Sequence, residues 1–276
     1  MMEGKKNFSP KAIAFDLDDT LLRDDLSISD FTVQILSKLH GKGVLIIPAS
    51  GRTRVSMSSF VERLNCVDQY IACNGAEIWS GKDHSLLRRE TFPLSTAHQI
   101  IEFGRRHHCY AQTYDEGKFY FNQYCTYADA YARASSLKGE FVGDLDSFVH
   151  DPCCKFLMMD EPEKISAMLE EARQVFDGKA SVTCSKPHYL EFNPPNATKA
   201  KALEVLLSGK GLSLSEVIAF GDSLNDWSML SACGLGICVA NARPELLERC
   251  DDTCPSNQED GVARYLQKHV LQEMSL

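Results

Sequence analysis

The chain has 276 residues, of which 44% are hydrophobic and 24% are charged, and its formal net charge at pH 7 is −9. This composition is that of an ordinary globular protein, long enough for one large domain or two modest ones. An acidic balance without a basic stripe predicts no nucleic-acid partner, and the lack of a long apolar run predicts no membrane partner.

The first ten residues are polar and carry lysines without an apolar core, so we expect no secretory signal and a cytoplasmic location. Eleven cysteines are present, but no two form a C-x-x-C pair. The pair Cys250 and Cys254 has no second ligand pair at zinc-site spacing. Cys73 and Cys238 lie in apolar or strand-like runs, where thiols pack as small hydrophobic side chains. Free thiols are therefore expected.

Strand-like and helix-like segments alternate in the first part of the chain. The predicted strands are 12–15, 44–47 and 70–73, and the predicted helices are 31–39 and 55–64. Ser29 or Asp30 is the expected cap of the first helix, and Gly41 and Gly43 close it. Continuous apolar strands separated by helices are typical of a parallel sheet covered on both faces.

The pattern changes near Gly81 and stays different to about Pro187. The segments there read as helices 96–107 and 163–176 and strands 109–114, 118–122, 155–159, 180–184 and 189–192. A turn signal at 115–117 joins two of these strands into a hairpin. Hairpins interleaved with helices favour an α+β insert with an antiparallel sheet.

From Thr198 the first rhythm returns. The remaining segments read as helices 199–207, 227–232 and 262–270 and strands 217–220 and 236–239. The predicted fold class is α/β, with a Rossmann-like, doubly wound parallel sheet interrupted by an α+β cap domain. The predicted catalytic core comprises 1–82 and 188–276, the cap comprises 83–187, and the hinges lie near 81–83 and 186–187.

Two aspartates one residue apart follow the first strand. Alternation along an extended strand sends Asp16 and Asp18 to the same side, where their charges repel. A bound Mg²⁺ would compensate this repulsion, because hard divalent cations prefer oxygen ligands. The competing interpretation of these two residues alone is an acidic turn.

Three further loops carry reactive-looking side chains at strand ends or helix starts. Ser50 and Gly51 precede a helix, Lys199 begins another, and Asp222 to Asp226 precede a third. Taken singly they read as an N-cap turn, a solvated lysine and a capped helix start. Ligands of open parallel sheets bind at the carboxyl ends of the strands, so the four loops together predict a phosphate site with a metal.

These four segments resemble the four motifs of the haloacid dehalogenase-like (HAD) hydrolases, and the insert resembles the type IIB cap of the Cof-type branch. The resemblance spans nearly the whole chain and includes segments 74–76, 189–191 and 259–262. The chain departs from the family pattern at four positions, namely Asp19, Ala200, Trp227 and Cys238. None of these departures removes a catalytic group.

The resemblance implies a role for each motif residue. Asp16 would be the nucleophile and Asp18 the general acid/base. The implied Mg²⁺ ligands are Asp16, the Asp18 backbone carbonyl and Asp222, with Asp226 supporting them from behind. The implied phosphate-binding residues are Ser50, Gly51, Lys199 and Asn225. The candidate substrate contacts are Arg52 and Asn74 from the core and Lys155 and His188 from the cap, although exposed polar side chains are the simpler interpretation of the last two.

The resemblance implies a Mg²⁺-dependent phosphatase that acts on small phosphorylated metabolites, foremost sugar phosphates, through an aspartyl-phosphate. The expected oligomeric state is a monomer or a weak homodimer. One alternative is a phosphomutase of the phosphomannomutase type, which would need arginines in the cap to hold a second phosphate. The available arginines are Arg88, Arg89, Arg105, Arg106 and Arg133. The other alternative is a non-catalytic sensor of phosphorylated ligands, which would not need an acid/base at Asp18.

Overall fold

The computed structural model describes residues 9–115 and 117–272. Its strands are β1 (Ala12–Phe15), β2 (Leu45–Pro48), β3 (Gln69–Ala72), β4 (Glu77–Ser80), β5 (Leu86–Arg89), β6 (Tyr110–Asp115), β7 (Lys118–Phe121), β8 (Lys138–Phe141), β9 (Phe156–Met159), β10 (Ser181–Thr183), β11 (Tyr189–Asn193), β12 (Val217–Gly221), β13 (Leu235–Val239) and β14 (Asp252–Cys254). Its α-helices are α1 (Asp30–Gly41), α2 (Arg54–Leu64), α3 (Leu94–Arg106), α4 (Thr126–Ser135), α5 (Leu145–Phe148), α6 (Pro162–Val175), α7 (Lys199–Ser208), α8 (Trp227–Ala232), α9 (Pro244–Leu247) and α10 (Gly261–Leu266). Short 3₁₀ or π turns occupy Leu17–Leu21, Cys73–Gly75, Leu214–Glu216, Asn257–Glu259 and Gln267–Leu271.

A five-stranded parallel sheet forms the centre of the core, in the order β14-β13-β12-β1-β2. Its strands are buried almost throughout, as the continuous apolar runs predict. The side chain of Ser29 accepts a hydrogen bond from the Thr32 amide and caps α1, while Thr53 caps α2 and Thr198 caps α7 in the same way. The predicted α/β class with a parallel core is confirmed.

The strands β3, β4 and β5 form an antiparallel sheet beside this core. A parallel bridge between Ala49 and Ile71 connects β3 to the end of β2. The sequence predicts β3 but neither β4 nor β5, because these four-residue strands lie between turn residues and the outer strand is exposed and charged.

The cap contains a six-stranded sheet in the order β10-β11-β9-β6-β7-β8, antiparallel except for the pair β7 and β8. Phe103 of α3 and Ile165 of α6 pack in a cluster on one face of this sheet. Tyr131 of α4 packs with Tyr110 and Phe119 in a separate aromatic cluster. The cap therefore has its own hydrophobic cores, as an independently packed domain requires.

Strand pairing differs from the predicted domain limits at both ends of the insert. Residues 81–83 form the turn between β4 and β5, so β5 pairs with the core side although the prediction placed it in the cap. Strand β11 pairs with β9 and β10 although the prediction placed it in the core. We propose that the chain crosses between the domains near 90–93 and 194–197.

The cysteines differ from the expectation in one pair. Cys238 on β13 and Cys250 after α9 form a disulfide, so the prediction of free thiols is wrong for these two. The nine other cysteines carry free thiols, and seven of them are buried. Among the described residues, no helix is both long and apolar enough to cross a bilayer.

Candidate active site

Asp16 and Asp222 meet because their strands are neighbours in the parallel sheet. Phe15 of β1 lies beside Phe220 of β12, so the loops that follow these two strands leave the same edge. The backbone amide of Asp16 donates to the Phe220 carbonyl at 3.1 Å. The hydroxyl of Thr20 donates to Asp222 Oδ1 at 2.8 Å and fixes that carboxylate.

Lys199 lies beneath these aspartates as the first residue of α7 and is fully buried. Its Nζ donates to Asp16 Oδ1 and to Asp226 Oδ1, both at 2.6 Å. The second oxygen of Asp226 accepts from the amides of Asp222 and Ser223, each at 3.0 Å. A cation at a helix N-terminus opposes the helix dipole, and these two carboxylates compensate it as the sequence predicts.

The crowding of carboxylates shifts their proton affinities. Burial raises the pKa of Asp16 to about 7, with the charge of Asp226 adding to the shift and that of Lys199 opposing it. Burial and the neighbouring aspartates also hold the pKa of Asp222 well above its ordinary value. Oxygens of Asp16, Asp222 and Asp226 lie within 4.8 Å of one another. Such a group of hard donors, in which Asp16 and Asp222 have raised pKa values, fits a divalent cation such as Mg²⁺.

Hydrogen bonds separate the three carboxylates into two kinds. Both oxygens of Asp226 are engaged, by the ammonium of Lys199 and by two backbone amides. Asp16 and Asp222 each have one hydrogen-bonded oxygen, to Lys199 and Thr20 respectively. Asp16 and Asp222 are therefore better placed to bind a cation directly, and Asp226 is better placed to orient the surrounding groups.

Asp18 does not belong to this cluster, because its carboxylate pairs with Arg52. Arg52 donates to both its oxygens, from Nε at 2.8 Å and from Nη2 at 2.7 Å. Burial works to raise the pKa of Asp18, but the hydrogen bonds and charge of Arg52 outweigh burial and hold that pKa below its ordinary value. The next residue, Asp19, has φ 56°, a left-handed backbone conformation that glycine adopts more readily than aspartate.

The loop after β2 contributes Ser50 and Gly51. The Ser50 hydroxyl is buried and accepts from the Arg52 amide at 3.2 Å. A Cβ at Gly51 would come within 2.9 Å of Asn74 Oδ1 and 3.4 Å of Glu191 Oε1, so a larger residue at this position would have to displace the Asn74 side chain. Ser50, Gly51 and Arg52 thereby face the same cavity as Asp16 and Asp18.

Three asparagines form a chain of hydrogen bonds behind the cavity. Asn225 Nδ2 donates to Asn74 Oδ1 at 3.1 Å, and Asn74 Nδ2 donates to Asn193 Oδ1 at 3.1 Å. Both polar groups of Asn74 are thus engaged within the protein, and its side chain is outside the lining of the cavity. The Oδ1 atom of Asn225 is buried without a hydrogen-bond partner, and Asn225 does line the cavity.

The cap supplies a buried ion pair to the opposite wall. Lys155 precedes β9 and is 2% exposed, and its Nζ donates at 2.6 Å to both Glu191 Oε1 and the Gly51 carbonyl. The second oxygen of Glu191 is buried and has no hydrogen-bond partner. The interpretation of Lys155 as an exposed side chain is therefore wrong, while His188 lies outside the lining of the cavity.

The sequence did not identify Glu191 or Tyr131 as site residues. Glu191 lies within the segment 189–191 that carries part of the family resemblance, but nothing in its spacing assigned it to the site. Tyr131 lies on α4, a helix that the sequence did not predict. Its ring lines the cavity together with Tyr189, so the cap wall is partly aromatic.

Core and cap enclose a cavity of about 70 Å³. Three hydrogen bonds from core side chains to cap carbonyls surround it. Ser56 donates to Ser135 at 2.5 Å, Ser223 donates to Ser185 at 2.6 Å, and Arg52 donates to Ala134 at 3.3 Å. None of the five arginines considered above for a phosphomutase lines this cavity. Arg89 and Arg105, for example, pair with carboxylates elsewhere.

Comparisons with known proteins agree with this arrangement. The family model described as haloacid dehalogenase-like hydrolase matches residues 13–266. The Bacillus subtilis (strain 168) protein named 5-amino-6-(5-phospho-D-ribitylamino)uracil phosphatase YcsE is 29% identical over 262 residues, which cover 95% of this chain and 96% of that protein.

Two solved structures show the same fold. A haloacid dehalogenase-like hydrolase from Bacteroides thetaiotaomicron has a TM-score of 0.81 at 26% identity and covers 94% of this chain and 99% of its own. A structure described as the HAD subclass IIB sugar phosphatase BT4131 also has a TM-score of 0.81, at 21% identity, and covers 94% of this chain and 98% of its own.

The fold and the site define a HAD-type hydrolase, and its overall fold, cap included, is that of the subclass IIB sugar phosphatase. The chain belongs to the haloacid dehalogenase-like hydrolase family, and relatives that match nearly its whole length are named as phosphatases.

Proposed function

We propose that this enzyme hydrolyses phosphomonoesters of small polyhydroxylated metabolites, such as sugar phosphates, through an aspartyl-phosphate on Asp16. The observation that carries the proposal is the position of Asp16. Its carboxylate is held by Lys199 at the wall of a cavity that also contains Asp18, Ser50 and Asn225. A nucleophile, an acid/base and hydrogen-bond donors for a phosphate then share one enclosed space.

The reaction would proceed in two displacements at phosphorus. In the first, an Asp16 oxygen forms a bond to phosphorus while the bond to the leaving oxygen breaks, and Asp18 gives that oxygen its proton. In the second, Asp18 takes a proton from water, and the water oxygen displaces Asp16 to release inorganic phosphate. Asp18 must lose its double hydrogen bond to Arg52 before it can hold a proton, so we propose that substrate draws Arg52 away.

The residues around Asp16 would bind the phosphoryl group. The Ser50 hydroxyl, the amides near Gly51, the Asn225 amide and the Lys199 ammonium can donate to its oxygens, where stabilisation of charge supplies most of the catalysis of phosphoryl transfer. Because both polar groups of Asn74 are engaged, we propose that Asn74 orients Asn225 and does not itself touch substrate.

We propose that Mg²⁺ is the cofactor, held by Asp16, Asp222 and the Asp18 backbone carbonyl, with Asp226 orienting them. When bound, Mg²⁺ neutralises the negative charge that phosphate and carboxylate would otherwise bring together. This assignment is supported by the three carboxylates within 4.8 Å and by the raised pKa values of Asp16 and Asp222.

Two unpartnered acceptors support a hydroxyl-bearing substrate. Glu191 Oε2 and Asn225 Oδ1 are buried without hydrogen-bond partners, and both residues line the cavity. Buried acceptors are costly unless they receive a hydrogen bond, which a substrate hydroxyl can donate. The name of the Bacillus subtilis relative describes a substrate with a phosphate on a ribityl chain, which belongs to the same chemical class.

The nucleophile is tested with Asp16→Asn. We expect release of inorganic phosphate from p-nitrophenyl phosphate to fall by at least about a thousandfold, because the side-chain amide of asparagine cannot form the aspartyl-phosphate. Asp25→Asn, a change at an exposed aspartate in the same loop region, is the control and should retain wild-type activity. Turnover of Asp16→Asn within about tenfold of wild type would refute the role of Asp16.

The cofactor is tested in the same assay. Chelation with EDTA should abolish phosphate release and Mg²⁺ should restore it, whereas a sensor of phosphorylated ligands would release no phosphate with any divalent metal.

The substrate class is tested with deoxy analogues. Among sugar and polyol phosphates, we expect removal of the hydroxyl that reaches Glu191 to lower kcat/KM by about tenfold or more, because the buried acceptor loses its donor. p-Nitrophenyl phosphate, which has no such hydroxyl, is the reference. Equal kcat/KM values across every deoxy series would contradict the substrate class and leave the role of Asp16 intact.

The monomeric or weakly dimeric state and the cytoplasmic location stay predictions.

A further inference from the structure

A second group of metal-ligating side chains lies between core and cap, apart from the carboxylates of the active site. Cys73 follows β3, Glu77 begins β4, and Cys154 belongs to the segment before β9. Their ligand atoms lie within 4.8 Å of one another, and all three residues are buried. A cavity of about 400 Å³ adjoins them.

The surrounding contacts hold these residues in place. Trp79 Nε1 donates to Glu77 Oε2 at 2.8 Å, and Arg89 Nε donates to Glu77 Oε1 at 2.9 Å. Once the thiols are deprotonated, each of these oxygens keeps a second lone pair for a metal, unlike Asp226 Oδ2, which already accepts from two backbone amides. The amide of Asn193 donates to the carbonyls of both Cys73 and Cys154, at 2.9 Å and 3.0 Å, and so ties the two cysteine backbones together. Such outer hydrogen bonds are what orients the ligands of metal sites.

We propose that Cys73, Glu77 and Cys154 bind one Zn²⁺ ion that joins the core to the cap. Two sulfur donors and one carboxylate suit zinc, and the adjoining cavity leaves room for water as a fourth ligand in a tetrahedral shell. The backbone of Cys73 has φ 50°, an uncommon conformation that persists only where the surroundings enforce it. The surroundings that hold Cys73 in this conformation also hold its thiol beside Glu77 and Cys154.

The exchange of two protons for one Zn²⁺ ion conserves the net charge of this buried region. With the metal bound, two thiolates and a carboxylate contribute three negative charges, which zinc and the neighbouring Arg89 balance. Without the metal, the two thiols are neutral and Glu77 pairs with Arg89. Binding of one Zn²⁺ with release of two protons therefore leaves the net charge of this buried region unchanged.

Ligand softness distinguishes this site from the active site. Asp16, Asp222 and Asp226 offer only oxygen, which suits Mg²⁺, whereas thiolates select zinc over magnesium. The proposal does not depend on the phosphatase activity, because none of its three residues lines the active-site cavity.

The experiment titrates the reduced full chain with Zn²⁺, and with Co²⁺ as a spectroscopic probe, in excess Mg²⁺ to occupy the oxygen site. We expect one equivalent of Zn²⁺ per chain and a thiolate-to-cobalt charge-transfer band. Cys73→Ser and Cys154→Ser should each lower the intensity of the band by about half or more and weaken zinc binding by about tenfold or more, and the double variant should abolish the band. Cys153→Ser, which changes a thiol beside the same cavity, should retain both.

Zinc-edge X-ray absorption of the wild-type protein tests the site without any substitution. We expect two sulfur ligands at about 2.3 Å and oxygen ligands at about 2.0 Å. A shell of oxygen alone, a stoichiometry near zero, or a cobalt band of undiminished intensity in both serine variants would overturn the proposal. Loss of the band in Cys153→Ser would also overturn it as stated.

Discussion

The ion pair between Lys155 and Glu191 should stabilise the folded protein only as a pair. Both side chains are almost fully buried, at 2% and 3% exposure, and their charged atoms lie 2.6 Å apart. We expect Lys155→Met or Glu191→Leu alone to lower the free energy of unfolding by about 3–5 kcal/mol, because each leaves a buried charge without its partner. For a chain of this length that loss corresponds to a fall in Tm on the order of 10 °C.

The double variant Lys155→Met/Glu191→Leu should recover most of this loss, because apolar side chains of similar volume remove both buried charges. Recovery should be incomplete, since Lys155 also donates to the Gly51 carbonyl. The measurement is urea denaturation of the four proteins, analysed as a double-mutant cycle.

The matched control is Lys201→Met, which breaks a pair of the same residue types at 2.7 Å with both side chains 53% exposed. It should cost about 0.5 kcal/mol or less. A coupling energy between Lys155 and Glu191 below about 1 kcal/mol would refute the reasoning from burial.

Two further predictions concern the active-site loops. Burial raises the pKa of Asp16 to about 7 and that of Asp222 well above its ordinary value. In EDTA the folded protein therefore retains protons that the unfolded chain releases from about pH 4 upward. The free energy of unfolding falls as pH rises through this window. Mg²⁺ should therefore raise Tm more at about pH 8 than at about pH 5, and equal gains would contradict the shifts. Gly75→Ala should destabilise the fold by more than about 2 kcal/mol in urea denaturation, because its φ is 109° and a Cβ would lie 2.3 Å from the Thr198 carbonyl oxygen. Gly178→Ala, with φ 68° and open space around it, should cost less, and equal costs would contradict the close approach.

The core could be predicted from sequence because its signals are local. The strand at 12–15 has its predicted limits, and helix α8 does as well. The convergence of Asp16, Asp222 and Lys199 could also be predicted from the sequence, because parallel strands and the helices after them bring their ends to one edge of the sheet. At that edge the geometry depends on backbone topology more than on particular side chains.

The cap wall could not be predicted in the same way. Lys155 and Glu191 meet because β9 and β11 are antiparallel neighbours, and that pairing is set by the whole six-stranded sheet. The disulfide between Cys238 and Cys250 has a similar origin, because the chain returns through α9 to the edge of β13. No spacing rule relates two cysteines separated by 12 positions.

The small volume between core and cap sets an order of events for each turnover. Sites for small molecules commonly measure about 300–1,000 Å³, several times the 70 Å³ enclosed here. We therefore expect the two domains to separate before a substrate enters, so that the three hydrogen bonds from Ser56, Ser223 and Arg52 to cap carbonyls break and form again in every cycle. Domain opening and closing are then part of each turnover. Weaker hydrogen bonds between core and cap could therefore raise the turnover rate while the reacting groups stay unchanged.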